Sequence, residues 1–219
     1  NQTVDYNETL GKYVFTNASA VGTYTITAET VETATHYAGF NSTEFTVIKH
    51  NSTALIKVDP VHFVNDTFII NVTSNTTVNV TVNGKSYAVG ADGKVDINTA
   101  LLPAGEYVVV ATVYENAKYN GNVTNATFNV IKYNAEIKSI DVPDYNVTIG
   151  QNATIVVTMA NVTDGFVVIE IDGTNRTIAL NNSVAKLNVT LPAGEYVAKV
   201  YYLGDYKYNE TQNVSAKFT

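Results

Sequence analysis

The chain has no cysteine, no tryptophan, a single arginine (Arg176) and a single methionine (Met159). Without cysteine there are no disulfides, no thiolate nucleophile and no Cys-ligated zinc. One guanidinium cannot build the clustered clamps that hold phosphates or carboxylates. Charge is scarce as well, at 15% of residues against roughly 25% in ordinary soluble domains. The net charge of −7 argues against nucleic acid, which needs a cationic footprint. Apolar runs such as Val108 to Ala111 fall far short of the roughly 20 residues of a membrane-spanning helix, so no membrane insertion is expected. No basic stretch followed by an apolar one opens the chain, so no signal peptide is expected within it. G-x-S-x-G, P-loop and G-x-G-x-x-G patterns are missing, and no Ser-His-Asp order has supporting context. Neither an enzyme nor a cofactor is expected.

Asparagine and threonine fill the gap. The chain has 26 Asn and 38 Ser plus Thr. Random placement would put Ser or Thr two residues after Asn about four or five times, yet the pattern occurs 19 times, never with proline between. The candidate glycosylation sites are Asn1, Asn7, Asn17, Asn41, Asn51, Asn65, Asn71, Asn75, Asn79, Asn122, Asn125, Asn146, Asn152, Asn161, Asn175, Asn181, Asn188, Asn209 and Asn213. Turns that favour Asn and strands that favour Thr explain part of the excess. Several sequons lie within strand-like segments, where Asn is disfavoured, so glycosylation of a subset is expected. Glycans would supply the hydrophilic surface that charge does not.

An internal repeat sets the architecture. Leu102-Pro103-Ala104-Gly105-Glu106-Tyr107-Val108 returns as Leu191-Pro192-Ala193-Gly194-Glu195-Tyr196-Val197, and Val21-Gly22-Thr23-Tyr24-Thr25 is a weaker copy. Phe45-Thr46-Val47-Ile48-Lys49-His50-Asn51 returns as Phe128-Asn129-Val130-Ile131-Lys132-Tyr133-Asn134, and Lys118-Tyr119-Asn120 as Lys207-Tyr208-Asn209. Within each repeat apolar residues alternate with polar ones: Phe68, Ile70, Val72, then Val78, Val80, Val82; Ile155, Val157, Met159, then Val167, Ile169, Ile171. Period two predicts strands with one buried face. Asn83-Gly84 and Asp172-Gly173 suit hairpin turns. About seven short strands per repeat of this length point to an all-β fold of tandem immunoglobulin-like Greek-key β-sandwiches. Tyr107 and Tyr196, each following a Gly-containing corner, are the candidate tyrosine corners of such sandwiches.

These repeats resemble the Ig-like repeats of archaeal, methanogen-type adhesin-like cell-surface proteins. The residues that carry the resemblance are Gly105-x-Tyr107 and Gly22-x-Tyr24, the Tyr-Asn hairpin at 119–120 and 208–209, and the Phe-x-Val-Ile-Lys strands. It covers residues 50–219 well and 10–49 partly. It implies a stalk or display region of an extracellular, cell-surface protein, with neighbouring Ig-like repeats or identical subunits as partners. The reading gives an incomplete repeat over residues 1–49 (rear half only) and full sandwiches over 50–132 and 133–219. Either upstream sequence completes the first, or another chain does by donor-strand exchange, which would make the protein a filament or pilus subunit. Gly/Ser-rich or Pro-rich spacers are missing, so little bending is expected at the joints. A strand of about 8 residues spans about 26 Å, so each repeat should extend the molecule by roughly 35–40 Å.

Sharper sites compete poorly. His36, His50 and His62 do not pair at metal spacing, and solvated or junction roles are expected for them. Asp59, Asp66, Asp141 and Asp144 are too sparse for the six to eight oxygens of calcium. Lys57, Lys138 and Asn129 could form an isopeptide bond only beside a buried carboxylic acid, and none faces inward. Tyr201, Tyr206 and Tyr208 are the candidates for a loose carbohydrate platform.

Overall fold

The computed structural model describes residues 4, 6–15 and 20–219. The candidate sites Asn1 and Asn17 lie outside these described residues. Contacts gather the chain into two compact units, one of residues 1–58, 70–95 and 108–126, the other of residues 59–69, 96–107 and 127–219. Among the described residues both are all-β, apart from a single turn of 3-10 helix at Thr99–Leu101.

Two hairpins come first. β1 (Tyr6–Asn7) pairs with β2 (Lys12–Tyr13), and β3 (Gly22–Thr30) pairs with β4 (Gly39–Val47). The second hairpin is antiparallel throughout, from Gly22 opposite Val47 to Thr30 opposite Gly39. Among the described residues no further strand joins β3 or β4. Tyr24 stacks on Phe45 at 5.3 Å between ring centroids, and Phe15 meets Phe45 edge-on at 5.9 Å.

The middle repeat supplies β5 (Ala54–Lys57), β6 (Val61–Phe63), β7 (Thr67–Ser74), β8 (Asn79–Val82), β9 (Lys85–Tyr87), β10 (Lys94–Asn98), β11 (Gly105–Val113) and β12 (Asn122–Ile131). They form sheets in the orders β10-β7-β5 and β6-β12-β11-β8-β9, with β6 parallel to β12. The third repeat supplies β13 (Ile137–Asp141), β14 (Ala153–Met159), β15 (Phe166–Ile171), β16 (Thr174–Ala179), β17 (Val184–Val189), β18 (Lys199–Tyr202) and β19 (Thr211–Val214). Its sheets run β13-β14-β17 and β16-β15-β18-β19. The strands switch sheet after β14 and again on either side of β17, which is the crossing pattern of a Greek-key, immunoglobulin-like sandwich.

Alternation explains the core. In β14, Ala153, Ile155, Val157 and Met159 are buried. They share one cluster with Val167, Ile169 and Ile171 of β15, Ala185, Leu187 and Val189 of β17, and Val200 and Tyr202 of β18. Each fully buried aliphatic side chain contributes about 1.5–3 kcal/mol. The hairpins close where backbone can turn left-handed: Asn83 and Gly84 have φ of 44° and 81°, Asp172 and Gly173 of 51° and 69°. Positive φ at both central residues matches the right-handed twist of the flanking strands.

One histidine departs from expectation. His62 is neither solvated nor at a junction. It is 8% exposed, lies flat on Phe68 at 3.4 Å and meets Phe128 edge-on at 5.7 Å. Alternation through β6 and the residue after it turns His62 and Val64 to the inside, and the imidazole serves there as a flat aromatic body. His36 and His50 are exposed.

Of the glycines, Gly93 is the one where an added Cβ would make the shortest contact. Its φ is +79°, and a Cβ there would collide with the Val72 carbonyl oxygen, which is also close to the sheet bond from Val72 N–H to Gly93 C=O. Gly93→Ala should lower stability by about 2–4 kcal/mol, measured as a fall in the urea midpoint; a change within about 0.5 kcal/mol would contradict the collision.

Candidate functional site

Each complete repeat opens with a lead-in segment outside the extended strands: Lys49-His50-Asn51 in the first compact unit, Lys132-Tyr133-Asn134 in the second. Its backbone groups need partners, and a late hairpin of the same repeat provides them. His50 N–H donates to Lys118 C=O at 2.9 Å, and Asn120 N–H donates to His50 C=O at 2.9 Å, making a parallel bridge between His50 and Tyr119. In the second unit Tyr133 N–H donates to Lys207 C=O at 2.9 Å and Asn209 N–H to Tyr133 C=O at 2.8 Å, bridging Tyr133 to Tyr208.

Short polar side chains shape the receiving turns, the ordinary role of Asn and Asp at such positions. Asn116 Oδ1 accepts from the N–H groups of Lys118 and Tyr119, both at 2.8 Å. Asp205 Oδ1 accepts from those of Lys207 at 2.7 Å and Tyr208 at 2.6 Å. Burial works against the charged form of Asp205, but the N–H donors of Tyr208 and Lys207, together with Tyr202 and the charge of Lys132, hold the carboxyl below its ordinary value.

Asparagine amides then close a clasp. Asn75 accepts from Thr53 N–H at 2.9 Å through Oδ1 and donates through Nδ2 to Asn51 C=O at 3.1 Å. Asn161 repeats this with Glu136 N–H at 3.2 Å and Asn134 C=O at 2.8 Å. Asn120 Nδ2 donates to Asn51 Oδ1 at 3.1 Å, and Asn209 Nδ2 to Asn134 Oδ1 at 3.0 Å. Asn122 Nδ2 adds a bond to Ser52 C=O at 3.1 Å. Lys49 pairs with Glu115, whose carboxyl it holds below the usual range, and Lys132 Nζ donates to Asp205 C=O. The Tyr208 hydroxyl donates to Asn161 C=O at 2.6 Å. Sequence reasoning placed Asn51, Asn75, Asn122, Asn161 and Asn209 only as glycan acceptors and missed this arrangement. The signal for it was the return of Lys-aromatic-Asn at 49–51 and 132–134 together with Tyr-Asn at 119–120 and 208–209.

In the corner after each Leu-Pro-Ala-Gly run, the Tyr107 hydroxyl donates to Pro103 C=O at 2.8 Å and the Tyr196 hydroxyl to Pro192 C=O at 3.0 Å. Tyr24, read in the sequence as part of a weaker copy of the motif and not as a tyrosine corner, makes the same bond to Ala20 C=O at 2.7 Å. In each case the acceptor lies four residues upstream, so the hydroxyl staples the corner to the strand that follows it.

The sequon asparagines within the described residues are exposed, except Asn79 and Asn122, which are half-buried. Asn7, Asn41 and Asn213 accept local bonds through Oδ1, and Asn146, Asn152 and Asn188 accept from the hydroxyls of Thr219, Thr190 and Thr154, distant in sequence. In Asn75, Asn122, Asn161 and Asn209 the Nδ2 that would carry a sugar is itself a donor.

The remaining candidates are dispersed. Asp66 accepts from Thr67 N–H at 2.8 Å and Asp141 from Ser139 Oγ at 2.8 Å; Asp59 and Asp144 are exposed. Among the described residues no three His, Asp or Glu side chains gather as a metal ion would require. Lys57, Lys138 and Asn129 are exposed. Tyr201 donates to Glu170 at 3.1 Å, Tyr208 belongs to the clasp, and Tyr206 is exposed, so the three tyrosines have separate roles.

No family profile and no curated protein matches the chain. Solved structures do. The fibronectin(III)-like modules of Clostridium thermocellum CbhA align with 76% of this chain and 94% of theirs, at 14% identity and a TM-score of 0.33. Sidekick-1 immunoglobulin domains 1–5 align with 97% of this chain, which spans about half (49%) of that one, at 13% identity and a TM-score of 0.36. The amphioxus IgVJ-C2 molecule aligns with 78% of this chain and 99% of its own, at 13% identity and a TM-score of 0.31. These likenesses are loose, and the fold assignment rests on the strand orders above. Among the described residues no helix is long and apolar enough to cross a membrane.

Asn161→Ala removes both prongs of its grip and should lower stability by about 1–3 kcal/mol, seen as a lower urea midpoint at unchanged slope. Asp205 should make the protein acid-sensitive. Its carboxyl is lowered in the folded state, so its contribution is complete above the ordinary carboxylate range and is lost as pH falls through the lowered value. Asp205→Asn keeps the turn, as Asn116 does in the middle repeat, and should flatten the loss of stability between about pH 5 and pH 2; an unchanged acid profile would contradict the role given to the carboxylate.

Proposed function

We propose that this chain is a structural stalk or display region of an extracellular, N-glycosylated, adhesin-like surface protein, of the kind found in methanogen-type archaea. The observation that carries this reading is the clasp. A repeat that pins its own lead-in segment within four residues of the preceding strand leaves almost no free linker, and that suits a spacer rather than a hinged binding module. The abundance of exposed sequons supports it: glycans on the outward faces would hydrate a surface poor in charge and shield it from proteases. No catalytic or cofactor role is assigned to any residue.

A second reading, a filament subunit assembled by donor-strand exchange, draws on the β3–β4 hairpin. Its strands have unpaired outer edges among the described residues, and Val31, Tyr37 and Phe40 on it are 87%, 91% and 69% exposed. Such edges invite pairing with another chain.

Intact mass spectrometry and electron microscopy of material from a glycosylating source test both. Mass above 23.7 kDa in sugar-sized steps, with short rods, is the expected result. An unmodified chain contradicts the glycosylated surface, and regular filaments that vanish when residues 1–49 are deleted replace the stalk with the second reading.

A further inference from the structure

Resting on the glycosylated-surface reading, we propose that the fold sorts the sequons: Asn75 and Asn161 are closed to glycan in the folded protein, and a sugar attached to either keeps the clasp of its repeat from forming.

The reason lies in the stereochemistry of the modified amide. N-glycosylation forms a bond between Nδ2 and the anomeric carbon of a sugar as the bond from that carbon to the phosphate of a lipid-linked donor breaks. One Nδ2 proton is released, and the lipid phosphate leaves with the electron pair. The product is a secondary amide, which strongly prefers the trans form. In that form the sugar carbon lies cis to Oδ1 and the one remaining N–H points away from it.

Asn75 and Asn161 use the edge that the sugar would occupy. Each amide straddles one residue of the lead-in, accepting from the N–H after it and donating to the C=O before it: Thr53 and Asn51 around Ser52, Glu136 and Asn134 around Ala135. The two backbone groups flank a single residue, so one amide can reach both only along the edge shared by Oδ1 and the proton beside it. The donated proton is therefore the one cis to Oδ1. A trans glycosyl amide puts the anomeric carbon there and removes the bond to Asn51 or Asn134. The straddled residues, Ser52 and Ala135, are 7% and 8% exposed, so no bulk fits between the amide and the lead-in without lifting it out. Both residues belong to sequons, Asn75-Thr76-Thr77 and Asn161-Val162-Thr163, so the competition is built into both complete repeats. By contrast Asn71 faces outward on β7, opposite Lys57, and Asn65 and Asn181 sit exposed in loops.

The test is to express the full chain in a glycosylating host, isolate the folded monomer and map glycopeptides. Sugar at one or more of Asn65, Asn71 and Asn181 is expected, with occupancy at Asn75 and Asn161 at least about tenfold lower. Comparable occupancy at Asn75 or Asn161 overturns the inference and leaves the surface reading standing. Sugar at no site overturns the surface reading, and the inference is then decided on unmodified, 15N-labelled protein. There one Nδ2 proton of Asn75 and one of Asn161 should exchange with solvent at least about tenfold more slowly than those of Asn71; exchange as fast as at Asn71 overturns the inference whatever the glycan map.

Discussion

A chain that passes from one β-sandwich to the next must leave a short stretch of backbone outside both sheets. Its N–H and C=O groups cannot be left dry and unpaired. The asparagine clasp supplies their partners. One amide spans a residue of the lead-in from the side, a hairpin takes the same segment edge-on, and a lysine anchors the chain just before it. Registration of the first strand in each repeat follows from this, because β5 begins three residues after Asn51 and β13 begins three after Asn134. Where the first strand sits then fixes which alternate residues face inward.

The parts of the structure that depend on near neighbours were plain in the sequence. Period-two alternation in Ile155, Val157 and Met159, and in Val167, Ile169 and Ile171, is a local property, and so is the preference of Asn83-Gly84 and Asp172-Gly173 for left-handed backbone. The tyrosine hydroxyls reach only four residues back, which made Tyr107 and Tyr196 readable. Tyr24 carries the same chemistry in a blurred copy of the motif and was passed over for that reason.

What escaped depends on long loops closing. Asn51 meets Asn120 across 69 residues and Asn134 meets Asn209 across 75. An asparagine written into a glycosylation motif looks the same in sequence whether its amide points to solvent or grips a neighbouring strand. His62 was misjudged for a related reason. β6 has only three residues, too few for alternation to announce itself, and a polar residue type hid an inward position where the ring stacks flat on Phe68 while its Nε2 is buried without a hydrogen-bond partner.

The parallel bridge at His50, and its copy at Tyr133, also has a mechanical meaning. The two backbone bonds of each bridge flank a single residue and stand abreast across the line of the chain. Tension drawn along the lead-in loads them together, in shear, with the asparagine prongs sharing the strain. A hairpin peeled from its open end gives way one bond at a time; a bridge set crosswise to the pull yields only when several break at once. Each lead-in is thus held to its own repeat by several bonds that must break together before it comes free.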